Sequence, residues 1–198
     1  MNLLNKVYHN VRIRPLQPTD ADSLYRHYLG QKNLAFYLTR QPHKSLEQSQ
    51  DFVRRCIESY QQSNPSMLVF AVAEPDSNIA FGMITLIFKH DHAEIHFGVS
   101  AQYSGLGICT QVCRAGVEYL MALDIHDIRT QLHVDHIASR RVLEKNGFAN
   151  IAVFREFLCF PAMSEQRQDC LAMRRDHDGT RRGNENPLCA PTARPRTD

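Results

Sequence analysis

Apolar and polar residues recur with two different periods along this chain, and the changes of period divide it into elements. Val11, Ile13 and Leu16 flank alternate arginines around Pro15, which predicts a first strand ending near the proline. Thr19 is placed to cap a helix over about 20–29, with Asp20 and Asp22 in its first turn and Gly30 as its stop. A second helix is expected from Ser45, where Gln48 completes a capping box, to about Gln62. The period then shortens to two. Segments 67–74, 79–89 and 93–100 read as strands, and their connections are too short for parallel crossovers, so they are antiparallel neighbours.

Helical spacing returns in Ile108, Val112, Ala115, Tyr119 and Leu123, which predicts a helix with one buried face. A strand at 128–134, a helix at 137–146 closed by Asn146-Gly147, and strands at 151–160 and 167–174 complete the order β-α-α-β-β-β-α-β-α-β-β. The expected domain covers residues 1–176. The remainder, 177–198, has few apolar residues and many Pro, Gly, Arg and Thr, the composition of a disordered tail.

Composition narrows the classes. A chain of 198 residues is long enough for one domain with a substantial core, and 43% hydrophobic with 22% charged residues is ordinary for a globular protein. A net charge of +2 argues against a general nucleic-acid binder. No apolar run approaches the ~20 residues of a membrane span, and the polar start MNLLNKVYHN is not expected to be a signal peptide. The six cysteines contain no C-x-x-C pair, which suggests reduced thiols, mostly core filler, in a cytoplasmic protein.

The richest segment is AEIHFGVSAQYSGLGICT, a strand passing through a Gly-rich turn into a helix. The first N–H groups of a helix lack internal partners and carry the positive end of its dipole, so such a start is suited to phosphate. A Rossmann site is disfavoured: Thr110 takes the third glycine position, the preceding strands are antiparallel and the turn is mid-domain. A Walker loop is excluded, because no Gly-Lys-Ser/Thr follows. A helix start that binds nothing is the remaining alternative.

Three blocks in this order, AEIHFGVSAQYSGLGICT, IASRRVLEKNGF and FREFL followed by Asp169, resemble the GCN5-related N-acetyltransferases, and within them the RimJ/RimL-type ribosomal-protein enzymes. The resemblance runs from Ile13 to Arg174. It implies an α/β fold with a central, mostly antiparallel sheet flanked by helices, and transfer of acetyl from acetyl-CoA to a primary amine. A protein N-terminal α-amine is the implied acceptor, and similar sequences acetylate small amines. A CoA-binding module without catalysis is the reading from another class. Expected partners are acetyl-CoA, the acceptor and a second copy in a homodimer, with no membrane, no specific nucleic acid and no metal.

Carried onto this chain, the resemblance assigns the pyrophosphate to backbone amides of Gly105, Leu106, Gly107, Ile108, Cys109 and Thr110. Two registers compete for its phosphate motif. One starting at Gln102 matches every letter; one starting at Ser104 keeps the loop length, and loop length is favoured. Phe97, Gly98 and Val99 are implied to bond the pantetheine arm as an added strand would. His136 stands where the family carries asparagine, and its imidazole can still donate one hydrogen bond and titrate near neutrality. Ser139 matches a serine that bonds the CoA sulfur and supplies its proton, and is otherwise an N-cap-like turn residue. Leu143 replaces the tyrosine acid of other branches.

Two carboxylates are candidate bases. Glu94 shares a strand face with His96 and Gly98, and is otherwise a solvated strand end. Glu156 matches the Arg-Glu-aromatic element, and is otherwise an ion-pair partner. Either can bind the substrate ammonium instead of deprotonating it. Phe36 and Tyr37 line the acceptor cleft or fill the core, and Arg140, Arg141 and Lys145 meet the adenosine phosphates or face solvent. The histidines at 90, 92, 126 and 133 form no convincing metal-ligand set.

Overall fold

The computed structural model describes residues 2–175; the expected tail at 177–198 lies outside them. Eight strands form one sheet: β1 (Lys6–Tyr8), β2 (Val11–Pro15), β3 (Met67–Ala73), β4 (Ala80–Phe88), β5 (Ala93–Val99), β6 (Ile128–His133), β7 (Phe148–Phe160) and β8 (Ser164–Arg175). They lie in the order β1-β2-β3-β4-β5-β6-β8-β7. Every pairing is antiparallel except β5 with β6. That parallel contact has two rungs, Ala93 opposite Ile128 and Glu94 opposite Arg129. Beyond Glu94 the two strands separate, and the sheet opens into a wedge.

Both sheet faces are covered, which is why β3 is apolar at every position. Leu68, Phe70 and Val72 join the cluster beneath α3 (Ile108–Ala122), whereas Val69 and Ala71 join the cluster beneath α1 (Asp20–Leu24) and α2 (Leu46–Ser59). Strand β5 follows the same alternation. Ile95 packs on the α3 side, which places Glu94, His96 and Gly98 on the α1–α2 side. A fourth helix, α4 (Ile137–Lys145), follows β6.

Several boundaries differ from the sequence expectation. The helix expected over 20–29 is α-helical only to Leu24; Tyr25–Leu29 is a wider π-helical turn, closed by the Gly30 N–H on the Tyr25 carbonyl at 3.0 Å. Thr19 makes no side-chain cap, because Asp20 Oδ2 itself accepts from the Gln17 N–H at 2.8 Å. Ser45 does cap α2, accepting from the Gln48 N–H, while the Gln48 side chain returns to the Lys44 N–H one residue upstream. That helix stops at Ser59, short of Gln62, and Tyr60 turns in to hydrogen-bond Leu16 N and the Val69 carbonyl. Among the described cysteines all are free; Cys56, Cys113 and Cys170 are buried, Cys109 is half-buried and Cys159 is exposed.

Beneath α1 lies a buried ion pair. Arg14 and Asp20, each 3% exposed, form a bidentate pair with both contacts at 2.7 Å, and the remaining guanidinium donors go to Asn78 and to the Pro15 carbonyl.

Candidate active site

The wedge between β5 and β6 is the site's first component. The Ala93 N–H donates across to Asp127 on the β6 side at 3.0 Å, and the Ser100 N–H donates to Phe81 on the β4 side at 2.8 Å. Backbone direction alternates along a strand, so the N–H and C=O groups of Ile95, Phe97 and Val99 face the wedge, with no strand opposite them. Gly98 is a correction to the expected pantetheine contacts. Its backbone groups face β4, where its carbonyl oxygen lies against Gly82. What Gly98 contributes to the wedge is a missing side chain.

The wedge leads into the second component. A 3₁₀ turn (Ala101–Tyr103) and the extended Ser104 carry the chain to Gly107, the N-cap of α3, at φ 75° and ψ 0°. Glycine holds that left-handed conformation without the strain a Cβ adds. None of the backbone N–H groups of residues 105–109 donates to another described residue, while those of Thr110 and Gln111 turn back to the Gly107 carbonyl. A Cβ at Gly105 or Gly107 meets nothing within 4 Å, so the space before these donors is open. Gln102 sits in the 3₁₀ turn, and the helix opens at Gly107. An open strand edge ending in a row of free amides fits an elongated thioester with a pyrophosphate at its far end. Burial pushes the thiol of Cys109, in the first turn of α3, up to about 11, which disfavours the thiolate there.

The far wall comes from β6, α4 and the β7–β8 hairpin. His136 is the N-cap of α4, and Ser139 is half-buried in the helix's first turn. Burial, with His133 nearby, pushes His136 down to about 4, so its imidazole is neutral at pH 7. Tyr37 reaches this wall from the segment between the π-helical turn and α2, stacking on His136 and lying 5.4 Å from His133. Gln41 follows, donating to the Pro161 carbonyl at 3.1 Å. Phe36 packs edge-on to Tyr37 and is 43% exposed. The segment therefore bridges the two walls, and its aromatic pair lines the cleft instead of filling the core.

The carboxylates stand on opposite walls. Glu94 is at the last rung on the β5 side, with His96 Nε2 at 3.5 Å, Lys89 Nζ at 3.7 Å and His92 Nε2 at 3.8 Å. The hydrogen bond from His96, then the charges of Lys89 and His96, hold its carboxyl below the usual range against the effect of burial. Glu156 is exposed in an irregular stretch of β7, at φ 46°, with its N–H donated to Asp169 Oδ1 at 2.9 Å. Asp169 also pairs with Arg155, and its carbonyl accepts from Val134 N, which links Glu156 to the entrance of α4. Arg140 is engaged by Glu144 at 2.8 Å. Among the described residues no group of three His, Cys, Asp or Glu is placed to hold a metal ion, and no helix is long and apolar enough to cross a membrane.

A strand pair opened into a wedge, followed by a glycine-capped helix start, defines an acyl-CoA-dependent transferase fold. The model of the acetyltransferase (GNAT) domain matches residues 10–149, and the chain belongs to that family, whose enzymes take acetyl-CoA as co-substrate. No curated protein matches the chain. Solved structures share the fold at low identity. The ribosomal-protein-S5-alanine acetyltransferase from Vibrio fischeri superposes with a TM-score of 0.77 at 14% identity, covering 89% of this chain and 98% of that one. The Salmonella typhimurium acetyltransferase that modifies the N-terminal serine of ribosomal protein L7/L12 gives 0.74 at 18%, over 87% and 98%. Spermidine N-acetyltransferase from Vibrio cholerae, solved with CoA and spermine, gives 0.69 at 18%, over 83% and 94%.

Proposed function

We propose that this acetyltransferase acts on a protein N-terminal α-amine by direct attack on acetyl-CoA. The observation that carries the cofactor geometry is the open edge of Ile95, Phe97 and Val99 running into the free amides of residues 105–109. The acceptor class rests on the RimJ/RimL-type blocks of the sequence, and the exposed Phe36 beside Tyr37 offers apolar surface near the wall to a peptide end. The likeness to the spermidine enzyme favours a second reading, a small polyamine acceptor.

An α-ammonium with a pKa of about 8 needs to lose one proton before it attacks. Glu94, kept ionised by His96, or Glu156 accepts that proton or orients the ammonium while water takes it. The amine lone pair then forms the C–N bond as the C–S bond breaks, and wedge-facing amides of β5 hold the charge that develops on oxygen. Ser139 passes its proton to the sulfur, the duty for which Leu143 has no group, and recovers one from the nitrogen, which sheds its second proton as the amide forms. His136, neutral at working pH, offers one N–H on the same wall.

Thermal stability with excess acetyl-CoA, followed by thiol release with a panel of amino-terminal peptides and polyamines, tests this. A rise in Tm and turnover on peptides support the reading. Turnover confined to polyamines replaces the acceptor, and no Tm response defeats the cofactor assignment. Glu94→Gln, Glu156→Gln and Ser139→Ala should each bind acetyl-CoA, and full rates in all three would remove these residues from the chemistry.

A further inference from the structure

Tyr28 occupies the space that Gly98 leaves. A Cβ at residue 98 would lie 2.9 Å from both Cε2 and Cζ of Tyr28 and closer still to its hydroxyl oxygen. The side chain is 6% exposed, yet no described residue accepts the phenol's proton. Phenylalanine would fill the same volume, so what tyrosine adds here is a donor that the fold itself leaves unused. The placement is not incidental to the helix either. Tyr28 belongs to the π-helical turn, whose extra residue rotates it toward β5, and such turns gather at functional sites.

The hydroxyl's surroundings point to a role. It lies over β5 between Phe97 and Val99, whose backbone groups face the wedge. Arg40, from the bridging segment, holds its guanidinium 5.6 Å from the centre of the Tyr28 ring, and its Nη2 is buried without a partner. Arg40 and Cys109 are the ionisable groups that bear on the phenol. Burial outweighs the cation and keeps the hydroxyl protonated, so it can donate and cannot serve as a base.

We propose that the Tyr28 hydroxyl donates a hydrogen bond to the thioester carbonyl oxygen of bound acetyl-CoA, beside the wedge-facing amides of β5, with Arg40 holding the phenol in place. Its proton stays on the phenol throughout. The bond strengthens as the carbonyl π electrons move onto oxygen during amine attack and relaxes when the C–S bond breaks. Tyr28 is then a catalytic residue contributed by the first helical segment, outside the three blocks that carry the family resemblance. The assignment rests on the acetyl-CoA reading above.

The test uses Tyr28→Phe and Gly98→Ala, the second displacing the hydroxyl while leaving it present. Three readouts are taken: the acetyl-CoA Tm shift, the infrared carbonyl band of bound 1-¹³C-acetyl-CoA, and kcat. For wild type, a Tm rise and a carbonyl band moved to lower frequency are expected. Both variants should retain a Tm rise, lose most of the band displacement and lose about 10²-fold in kcat, the usual effect of removing one such donor. An unchanged band with kcat within threefold in Tyr28→Phe overturns the role of Tyr28 while the cofactor reading stands. A wild-type protein that does not respond to acetyl-CoA overturns both. Arg40→Met should reduce the band displacement partially; no change there removes Arg40 from the arrangement.

Discussion

The rings of Tyr37 and His136 stack with centroids 4.5 Å apart and planes inclined by 16°. This contact closes the segment between α1 and α2 over the N-terminus of α4, and it is made by a neutral imidazole, since burial has pushed His136 from 6.5 to about 4. His43, on the same segment, is also pushed to about 4, by burial and then by Arg40 and Arg55. Between these values the unfolded chain binds protons that the folded one does not, so stability is full above pH 6.5 and falls as pH drops toward 4. Urea titrations between pH 7 and 4 should show this decline, and His136→Asn should flatten part of it. An equal slope in the variant would dissociate His136 from the effect.

The buried pair of Arg14 and Asp20 gives a sharper stability prediction. Asp20→Asn leaves a guanidinium at 3% exposure without its counter-charge, which should cost about 3–5 kcal/mol. Replacing both residues, Arg14→Met with Asp20→Leu, should cost much less than the single change. Denaturant midpoints of the three proteins decide it.

Glu156 holds a left-handed backbone that a non-glycine residue adopts at a cost of about 1–2 kcal/mol. Glu156→Gly should therefore stabilise the fold by about 1 kcal/mol and lower turnover, whereas Glu156→Gln should lower turnover without stabilising. A stabilised glycine variant with full activity would show that the strain serves the hairpin alone.

At Gly107 the expected signs are reversed. Alanine at φ 75° should destabilise by about 1 kcal/mol, and its methyl, which meets nothing within 4 Å inside the protein, intrudes on the space before the free amides. Calorimetry should find acetyl-CoA affinity lowered about tenfold or more, a difference of about 1.4 kcal/mol. Leu106→Ala, at a position 59% exposed, should leave the affinity close to wild type.

Thiol chemistry should separate the cysteines by burial. Cys56 and Cys113 are pushed up to about 12 and Cys109 to about 11, each chiefly by burial, while Cys159 is exposed. Iodoacetamide at pH 8 should alkylate Cys159 well before those three, which should react only on unfolding. Peptide mapping by mass spectrometry reads the order.

Local patterns were legible in the sequence. The Ser45–Gln48 cap, the apolar face of α3, the antiparallel run β3–β5 and the glycine-opened helix each follow from neighbouring residues, and the structure has them all. Strand β1 is not legible, because three residues at a sheet edge carry too little alternation to register. The π-helical turn has the sequence pattern of plain helix, since one extra residue per turn hardly alters apolar spacing over five positions. The irregularity that holds Glu156 is set by pairing with β8, which no local signal marks. The placement of Tyr28 is likewise set by a distant contact. A lone glycine inside strand β5 was the available sign of a close approach, but the approaching residue is 70 positions away.

The two-rung contact between β5 and β6 makes the middle of the sheet its weakest seam. Any molecule that bonds the exposed edge of Ile95, Phe97 and Val99 supplies the ladder the chain itself omits, so ligand affinity and cohesion of the sheet draw on one free energy. The protein should thus be most complete as a folded object when that edge is occupied.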